Sequence, residues 1–311
     1  MKADTPLRLG SRRSPMAVAQ SGDVARLLTE RTGRRVEIVG VTTFGDVSRA
    51  QLTQIGGTGV FVSALRESLL SREVDFAVHS LKDLPTGAPQ GITLAAVPPR
   101  DDPRDALVAR DGAKLADLPA GARIGTGSPR RAAQLAVLRG DIACVPIRGN
   151  AGTRLAKVRD GELDAVVLAY AGLARIGHTD LISEVFEPDS MVPAAGQGAL
   201  AVECRADDAE LTELLATIDH QPTRAAVTAE RGLLAALEAG CSAPIGAYAA
   251  FTGTQLRLDA IVLGEKMVLR EHGEADAAGA ARLGHELAAR MLALGAADLM
   301  GGNTDGNDVH D

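Results

Sequence analysis

The chain repeats one stretch of itself: Glu73-Val-Asp-Phe-Ala-Val-His-Ser-Leu-Lys-Asp-Leu84 aligns without a gap against Glu162-Leu-Asp-Ala-Val-Val-Leu-Ala-Tyr-Ala-Gly-Leu173. Each copy follows a predicted helix that begins after a glycine-rich loop. Each also supplies an apolar run typical of a strand buried on both faces. Because the order is the same in both halves, the repeat predicts two related α/β lobes.

A strand followed by a Ser-Pro pair also occurs twice along the chain. A strand at Leu7–Gly10 leads to Ser14-Pro15, and a strand at Arg123–Gly125 leads to Ser128-Pro129. Serine is a good N-cap and proline is favoured at the first helical position, so each pair predicts a helix start. The helices are expected to reach Leu28 and Leu138.

Two proline-containing connections, 97–103 and 191–198, separate the predicted lobes. They indicate that the chain leaves lobe one, builds lobe two and returns, which predicts a hinged cleft. Lobe one is expected at 1–98 with 199–217 and lobe two at 104–192. A small α+β domain is expected at 221–300, and 301–311 is expected to be a disordered tail.

The composition describes an ordinary globular protein, with 46% hydrophobic and 23% charged residues. A net charge of -7 and an aromatic content of 2% argue against a nucleic-acid partner. No apolar run is long enough for a membrane span, and the first residues do not resemble a signal peptide, so a cytoplasmic location is expected. Cys144, Cys204 and Cys241 are widely spaced, and no metal-binding pattern is present. No heptad seam is visible, so a monomer is expected.

Arginines concentrate at the predicted carboxyl ends of strands, where open α/β sheets bind ligands and helix N-termini favour anions. Arginine holds carboxylate or phosphate through paired hydrogen bonds. The pattern therefore predicts a site for a ligand with several negative charges. A general bias toward arginine on solvated surfaces accounts for more than half of the arginines. Those at the strand ends are Arg12, Arg130, Arg131, Arg148, Arg154 and Arg175, and Thr153 is the expected N-cap of the helix that carries Arg154.

Asp83 stands out because the second copy of the repeat has Gly172 in its place. It is either half of a surface ion pair with Lys82 or a carboxylate placed among arginines to stabilise a cation. His79, inside the apolar run, is interpreted as a core histidine. Cys241 follows a helix-ending glycine and is expected on a loop, where an inert thiol and a nucleophile are both open.

Five segments together resemble the signature motifs of the porphobilinogen deaminase (hydroxymethylbilane synthase) family, in the family's order and over nearly the whole chain. They are His79-Ser-Leu-Lys-Asp-Leu-Pro85, Gly125-Thr-Gly-Ser-Pro-Arg-Arg131, Ile147-Arg-Gly-Asn-Ala-Gly-Thr-Arg154, Pro193-Ala-Ala-Gly-Gln-Gly198 and Gly240-Cys-Ser-Ala-Pro-Ile-Gly246.

The resemblance implies a transferase that joins four porphobilinogen molecules into hydroxymethylbilane with release of ammonia. It implies two lobes of the type II periplasmic-binding-protein-like class and a small C-terminal α+β domain. Asp83 matches the catalytic aspartate that stabilises azafulvenium cations, and Cys241 matches the attachment point of a dipyrromethane primer. The residues implied to bind cofactor and substrate are Arg12, Ser14, Lys82, Thr126, Ser128, Arg130, Arg131, Arg148, Arg154 and Arg175.

Three positions depart from the family pattern. Thr58 stands where lysine is commoner, in a segment that resembles the family's mobile loop, while Pro129 replaces a common leucine and Ala239 a common glycine. The main alternative is a non-catalytic solute-binding protein, which explains the arginines but not the placement of Cys241. A phosphate-handling transferase and a Rossmann dehydrogenase are disfavoured, because neither GxxxxGK[ST] nor GxGxxG is present where each is needed.

Overall fold

The computed structural model describes residues 5–41, 59–87, 89–238, 243–265 and 267–301. The first part of the chain forms β1 (Leu7–Ser11), α1 (Pro15–Thr32), β2 (Val36–Gly40), α2 (Gly59–Leu70), β3 (Phe76–Ser80) and β4 (Ile92–Ala96). The second part forms β5 (Asp105–Ala109), β6 (Arg123–Thr126), α3 (Pro129–Leu138), β7 (Ala143–Pro146), α4 (Ala151–Arg159), β8 (Ala165–Ala169), α5 (Tyr170–Arg175) and β9 (Glu184–Phe186). The last part forms β10 (Leu200–Arg205), α6 (Ala209–Ala216), α7 (Gln221–Ala236), β11 (Ile245–Thr252), β12 (Gln255–Leu263), β13 (Val268–Ala275), α8 (Ala280–Ala293) and α9 (Ala296–Gly301).

The chain divides into two compact units. Unit 1 comprises Met1–Asp101 and Gly198–Arg224, and unit 2 comprises Asp102–Gln197 and Ala225–Asp311. Residues 225–301 fall within unit 2, so the separate third domain expected at 221–300 stays a prediction. None of the helices in the described ranges combines the length and the apolar character that a bilayer crossing requires.

Each unit contains a five-stranded mixed sheet, and the two sheets have the same topology. Their orders are β2-β1-β3-β10-β4 in unit 1 and β7-β6-β8-β5-β9 in unit 2. The third strand in each order is parallel to its neighbour on one side and antiparallel to its neighbour on the other. The predicted pair of related α/β lobes is therefore confirmed.

The sequence repeat coincides with this structural repeat. β3 and β8 occupy the same twelve-residue window at the same positions, and both are buried. Asp75 and Asp164, which precede them by one residue, make the same contact: each carboxylate accepts a hydrogen bond from a backbone N–H of the neighbouring strand, Arg8 or Arg123, at 2.8 Å. A side chain that fixes strand register in both lobes explains why this stretch is the most alignable part of the chain.

The helix starts agree with their serine and proline signals. Ser14 caps α1 by accepting from the N–H of Ala17 at 3.3 Å, and Ser128 caps α3 by accepting from the N–H of Arg131 at 3.4 Å. α1 extends to Thr32, four residues beyond the expected end, and stops at Gly33, which adopts a left-handed conformation with φ 70°.

The remaining sheet, β11-β12-β13, is antiparallel and lies in unit 2. Its apolar face packs with α7 and α8 around Leu233, Leu258 and Leu287, all fully buried. This small α+β assembly follows the lobe in the same chain order that the sequence predicts.

Candidate active site

Asp83 lies at the end of a short 3-10 helix, Leu81–Asp83, directly after β3. Leu81 is buried and donates its backbone N–H to the carbonyl of Ala199 at 3.0 Å, which fixes this turn to the sheet. The Asp83 side chain is exposed, and within the described ranges its carboxylate has no ion pair. Lys82 is half-buried beside it. The first lobe therefore presents a carboxylate where α5 of the second lobe has Gly172.

The turn before α1 carries the first predicted anion-binding group. Ser14 is half-buried and already accepts a hydrogen bond as the helix cap, while Arg12 is half-buried in the same turn. The hydroxyl of Ser11, at the end of β1, donates to the carbonyl of Ala17 in α1 at 3.2 Å, and this hydrogen bond stabilises the turn between the two elements.

The turn before α3 is packed tightly at its centre. The buried Thr126 hydroxyl accepts from the N–H of Ser128 at 3.2 Å. A Cβ atom on Gly127 would lie 2.6 Å from the carbonyl oxygen of Ile147, so only glycine fits between these backbones. The second glycine of the Gly-Thr-Gly-Ser motif is therefore needed because two chain segments approach closely there. This approach places the Ser128 turn beside Ile147, the residue before Arg148.

Arg130 and Arg131 are almost completely buried and share one carboxylate, that of Asp105. Arg130 donates Nη1 to Asp105 Oδ2 at 2.8 Å and to the carbonyl of Val192 at 2.7 Å. Arg131 donates Nε to Asp105 Oδ1 at 2.9 Å and Nη1 to the carbonyl of Val167 at 3.2 Å. The Nε atom of Arg130 is buried and meets no acceptor among the described residues. The predicted ligand-binding pair therefore also has structural contacts that sequence reasoning did not find.

The electrostatics of this cluster leave an excess of positive charge. Burial would raise the pKa of Asp105, but Arg130 and Arg131 outweigh it and hold that pKa well below its usual range. Burial and the nearby Arg131 lower the pKa of Arg154. Arg154 is half-buried and donates Nε to the carbonyl of Gly149 at 2.9 Å. Two buried guanidinium groups thus share one carboxylate, with a third guanidinium, that of Arg154, near Arg131, and this excess of positive charge favours an anionic ligand.

The helix that carries Arg154 is capped differently from the prediction. Asn150, not Thr153, is its N-cap, and its side-chain oxygen accepts from the N–H of Thr153 at 2.8 Å. The expectation for Thr153 is wrong because asparagine also caps well and stands before the first helical residue. Arg148 is exposed just beyond β7, with no ion pair among the described residues, and Arg175 is half-buried at the end of α5.

The Pro193–Gly198 motif is held in place by side-chain contacts of Gln197 and Glu230, which sequence reasoning missed. Gln197 donates its side-chain amide to Asp105 Oδ1 at 2.8 Å and to the carbonyl of Pro103 at 2.7 Å. Glu230 on α7 is fully buried and accepts from the backbone N–H groups of Gly196 at 2.6 Å and Ala249 at 2.8 Å. The sequence signal that could have identified Glu230 is its position as a glutamate among the apolar residues on the buried face of α7.

Unit 1 contains a buried ion cluster formed by Arg66, His79 and Glu203, with His79 on β3. Glu203 on β10 accepts two hydrogen bonds from Arg66 on α2, at 3.0 and 2.7 Å. His79 Nε2 lies 3.3 Å from the same carboxylate, and His79 is buried, as the core interpretation expects. Burial opposes ionisation of Glu203, but His79 and Arg66 outweigh it and lower the pKa to about 2.

Several predicted residues lie outside the described residues. They are Cys241, the expected cofactor attachment point, Ala239 before it, Thr58 with most of the loop-like segment around it, and the tail beyond Gly301.

Two family models match the chain. "Porphobilinogen deaminase, dipyromethane cofactor binding domain" matches residues 7–213, and "Porphobilinogen deaminase, C-terminal domain" matches 224–293. The porphobilinogen deaminase of Thermobifida fusca is 60% identical over 304 residues, covering 94% of this chain and 95% of that protein. Porphobilinogen deaminase 1 of Streptomyces coelicolor is 58% identical over 314 residues, covering 95% and 97%. Among solved structures, a Salmonella typhimurium periplasmic binding protein with high arginine specificity aligns with a TM-score of 0.39 at 15% identity, over 68% of this chain and 91% of that chain.

Proposed function

The chain belongs to the porphobilinogen deaminase family, and on that premise we propose that it joins four porphobilinogen molecules head to tail and releases ammonia at each addition. Hydrolysis of the finished chain gives hydroxymethylbilane, a linear tetrapyrrole. The resemblance carried by the five motifs is confirmed by the family match. Identity of 60% and 58% over nearly the full length of two relatives supports the whole reaction.

The observation that carries the mechanism is the exposed carboxylate of Asp83. It stands on a turn anchored to the sheet, and the duplicate lobe has no side chain there. Loss of ammonia from the aminomethyl group of a pyrrole leaves a cation. A carboxylate about 4 Å away stabilises such a charge by about 4 kcal/mol at an effective dielectric of about 20. Asp83 also accepts hydrogen bonds from pyrrole N–H groups, which orients the reacting ring.

The cofactor is a dipyrromethane, in line with the description of the matching family model. When bound, it supplies the primer to which substrate units are added. The buried cluster fits such a group, because Arg130 keeps an Nε–H without an acceptor in the described part of the chain. A carboxylate bound there recovers about 1–3 kcal/mol of unmet hydrogen bonding. Acetate and propionate groups of pyrroles provide such carboxylates.

The other predicted binding residues contribute to the site in different ways. Arg131 and Arg154 supply charge, exposed Arg148 reaches outer carboxylates, and Ser128 supplies a hydroxyl; Arg12, Ser14, Lys82, Thr126 and Arg175 complete the set. Attachment through Cys241 rests on the Gly240–Gly246 motif. We further propose a cytoplasmic monomer, and the net charge of -7 supports the absence of a nucleic-acid partner.

The test combines intact mass with turnover. Protein purified from porphobilinogen-producing cells should carry the mass of one dipyrromethane on the peptide that contains Cys241, and it should consume porphobilinogen. Unmodified protein that consumes no pyrrole would overturn the enzyme assignment.

Asp83→Asn tests the mechanism separately. It should leave the thermal midpoint unchanged while turnover falls about 10²–10³-fold, because most of the charge stabilisation is lost. Glu67→Gln is the matched control, since Glu67 is another exposed carboxylate of unit 1, on α2, and should turn over normally. Near-normal turnover of Asp83→Asn would show that the carboxylate is misassigned.

A further inference from the structure

Asp105 is a buried carboxylate at the first position of β5, with no exposed surface. Its contacts link β5 to two other elements of unit 2, namely α3 through Arg130 and Arg131, and the segment before β10 through Gln197. We propose that Asp105 is a positioning residue that aims Arg130 and Arg131 at the carboxylates of the pyrrole ligand. This inference rests on the proposed function and extends it to a residue that never touches the ligand.

The hydrogen-bond directions support this role. Asp105 accepts a hydrogen bond from Arg130 at Nη1 alone, and the carbonyl of Val192 accepts one from the same nitrogen. The other edge of that guanidinium is left without an acceptor at Nε within the described residues. A guanidinium edge with two parallel N–H groups matches a carboxylate bidentately. Asp105 therefore selects which edge of Arg130 is left without a protein acceptor at Nε.

Charge balance gives the second reason. Arg130 and Arg131 are consecutive and both are buried. Arg154 lies near them, and its pKa is lowered by burial and by the charge of Arg131. Without a carboxylate these cations would repel one another and turn toward solvent. One Asp105 carboxylate holds two of them and still leaves a net positive charge for the ligand.

The duplicate lobe shows that the fold does not require this cluster. The sequence repeat aligns Ala169 on β8 with Ser80 on β3. Asp105 pairs with Ala169 and Leu200 pairs with Ser80, so Leu200 is the lobe-one equivalent of Asp105. Counted from the capping serines, Arg130 and Arg131 correspond to Met16 and Ala17. The same scaffold is thus built in lobe one with uncharged residues at all three positions.

Buried ion pairs are often no more stabilising than apolar residues of similar volume. A cluster that the fold can replace with leucine, methionine and alanine is therefore explained better by ligand binding than by stability.

Asp105→Asn is the direct test, measured on the full chain expressed in porphobilinogen-producing cells. Two readouts are needed: the fraction of protein that carries the dipyrromethane mass, and the KM and kcat for porphobilinogen. We expect the modified fraction to fall, and the KM of the modified protein to rise at least about tenfold with a smaller change in kcat, because misaimed arginines weaken carboxylate binding.

Glu203→Gln is the matched control, because Glu203 is an equally buried carboxylate paired with an arginine in the other lobe. It should lose comparable thermal stability yet keep its modified fraction and KM. Equal losses of binding in both variants would show that Asp105 acts only through stability.

The triple variant Asp105→Leu, Arg130→Met and Arg131→Ala covers the case in which Asp105→Asn does not fold. It reproduces the lobe-one residues, so it should fold and remain unmodified by mass. If it becomes modified normally, or if Asp105→Asn keeps the wild-type modified fraction and KM, the positioning role is overturned. Wild-type protein that is unmodified and inactive overturns the proposed function, and the positioning role with it.

Discussion

Glu203→Gln should remove a part of the stability of the protein that depends on pH in a defined way. In the folded protein the pKa of Glu203 is lowered to about 2 from an ordinary 4.5, although burial alone would raise it. His79 and Arg66 cause the decrease. A pKa that is lowered on folding stabilises the folded state above the unfolded pKa, and this stabilisation is lost as the pH falls toward the folded value. The shift corresponds to about 3 kcal/mol at pH 7.

The assay is urea unfolding at pH 7, 5 and 3.5, followed by far-UV circular dichroism because the chain has no tryptophan. The wild type should exceed Glu203→Gln by about 3 kcal/mol at pH 7 and 5, and by about 2 kcal/mol at pH 3.5. Asp207→Asn is the control, since Asp207 pairs with Arg72 at a site where both side chains are mostly exposed, and it should differ from wild type by under about 1 kcal/mol at every pH. A gap for Glu203→Gln that is below about 1 kcal/mol at pH 7, or that stays constant to pH 3.5, would refute the reasoning.

Two further variants test the loops that support the arginines. Gly127→Ala should reduce the free energy of unfolding by about 1–3 kcal/mol, because the added Cβ meets the Ile147 carbonyl at 2.6 Å; Gly140→Ala, whose nearest contact is 3.7 Å, should change it little, and equal effects in urea unfolding would contradict the close-approach argument. Asn150→Ala should cost about 1 kcal/mol through loss of the α4 cap, while Asn150→Ser should retain most of it; if both variants unfold at the wild-type urea midpoint, the cap contributes nothing.

The sequence predicted local features well, because their causes are local. Ser14 and Ser128 were identified as caps from adjacent residues, and β3 and β8 from their apolar runs. β2, β4, β5 and β9 were not predicted as strands. The cap of α4 was predicted at Thr153, whereas the structure has it at Asn150, three residues earlier.

The buried ion contacts could not be predicted for a different reason. Arg66 and Glu203 are 137 residues apart, and Arg130 and Asp105 are 25 apart on elements whose pairing depends on the sheet order. Nothing local in the sequence distinguishes these arginines from solvated ones. Arg130 therefore looked like a simple ligand contact, whereas the structure adds two protein acceptors and a fixed orientation.

The two lobes share one scaffold but differ in where charged residues lie on it. The gapless repeat revealed Asp83 against Gly172 because both residues lie inside the alignable stretch. It did not reveal Asp105 against Leu200, since β5 enters its sheet before the repeat and β10 enters after it. Only the strand pairing makes those positions equivalent. Charged residues that replace uncharged ones on a shared scaffold support the two proposals made above, in which lobe one acts through Asp83 on the cation and lobe two acts through Asp105, Arg130 and Arg131 on the carboxylates.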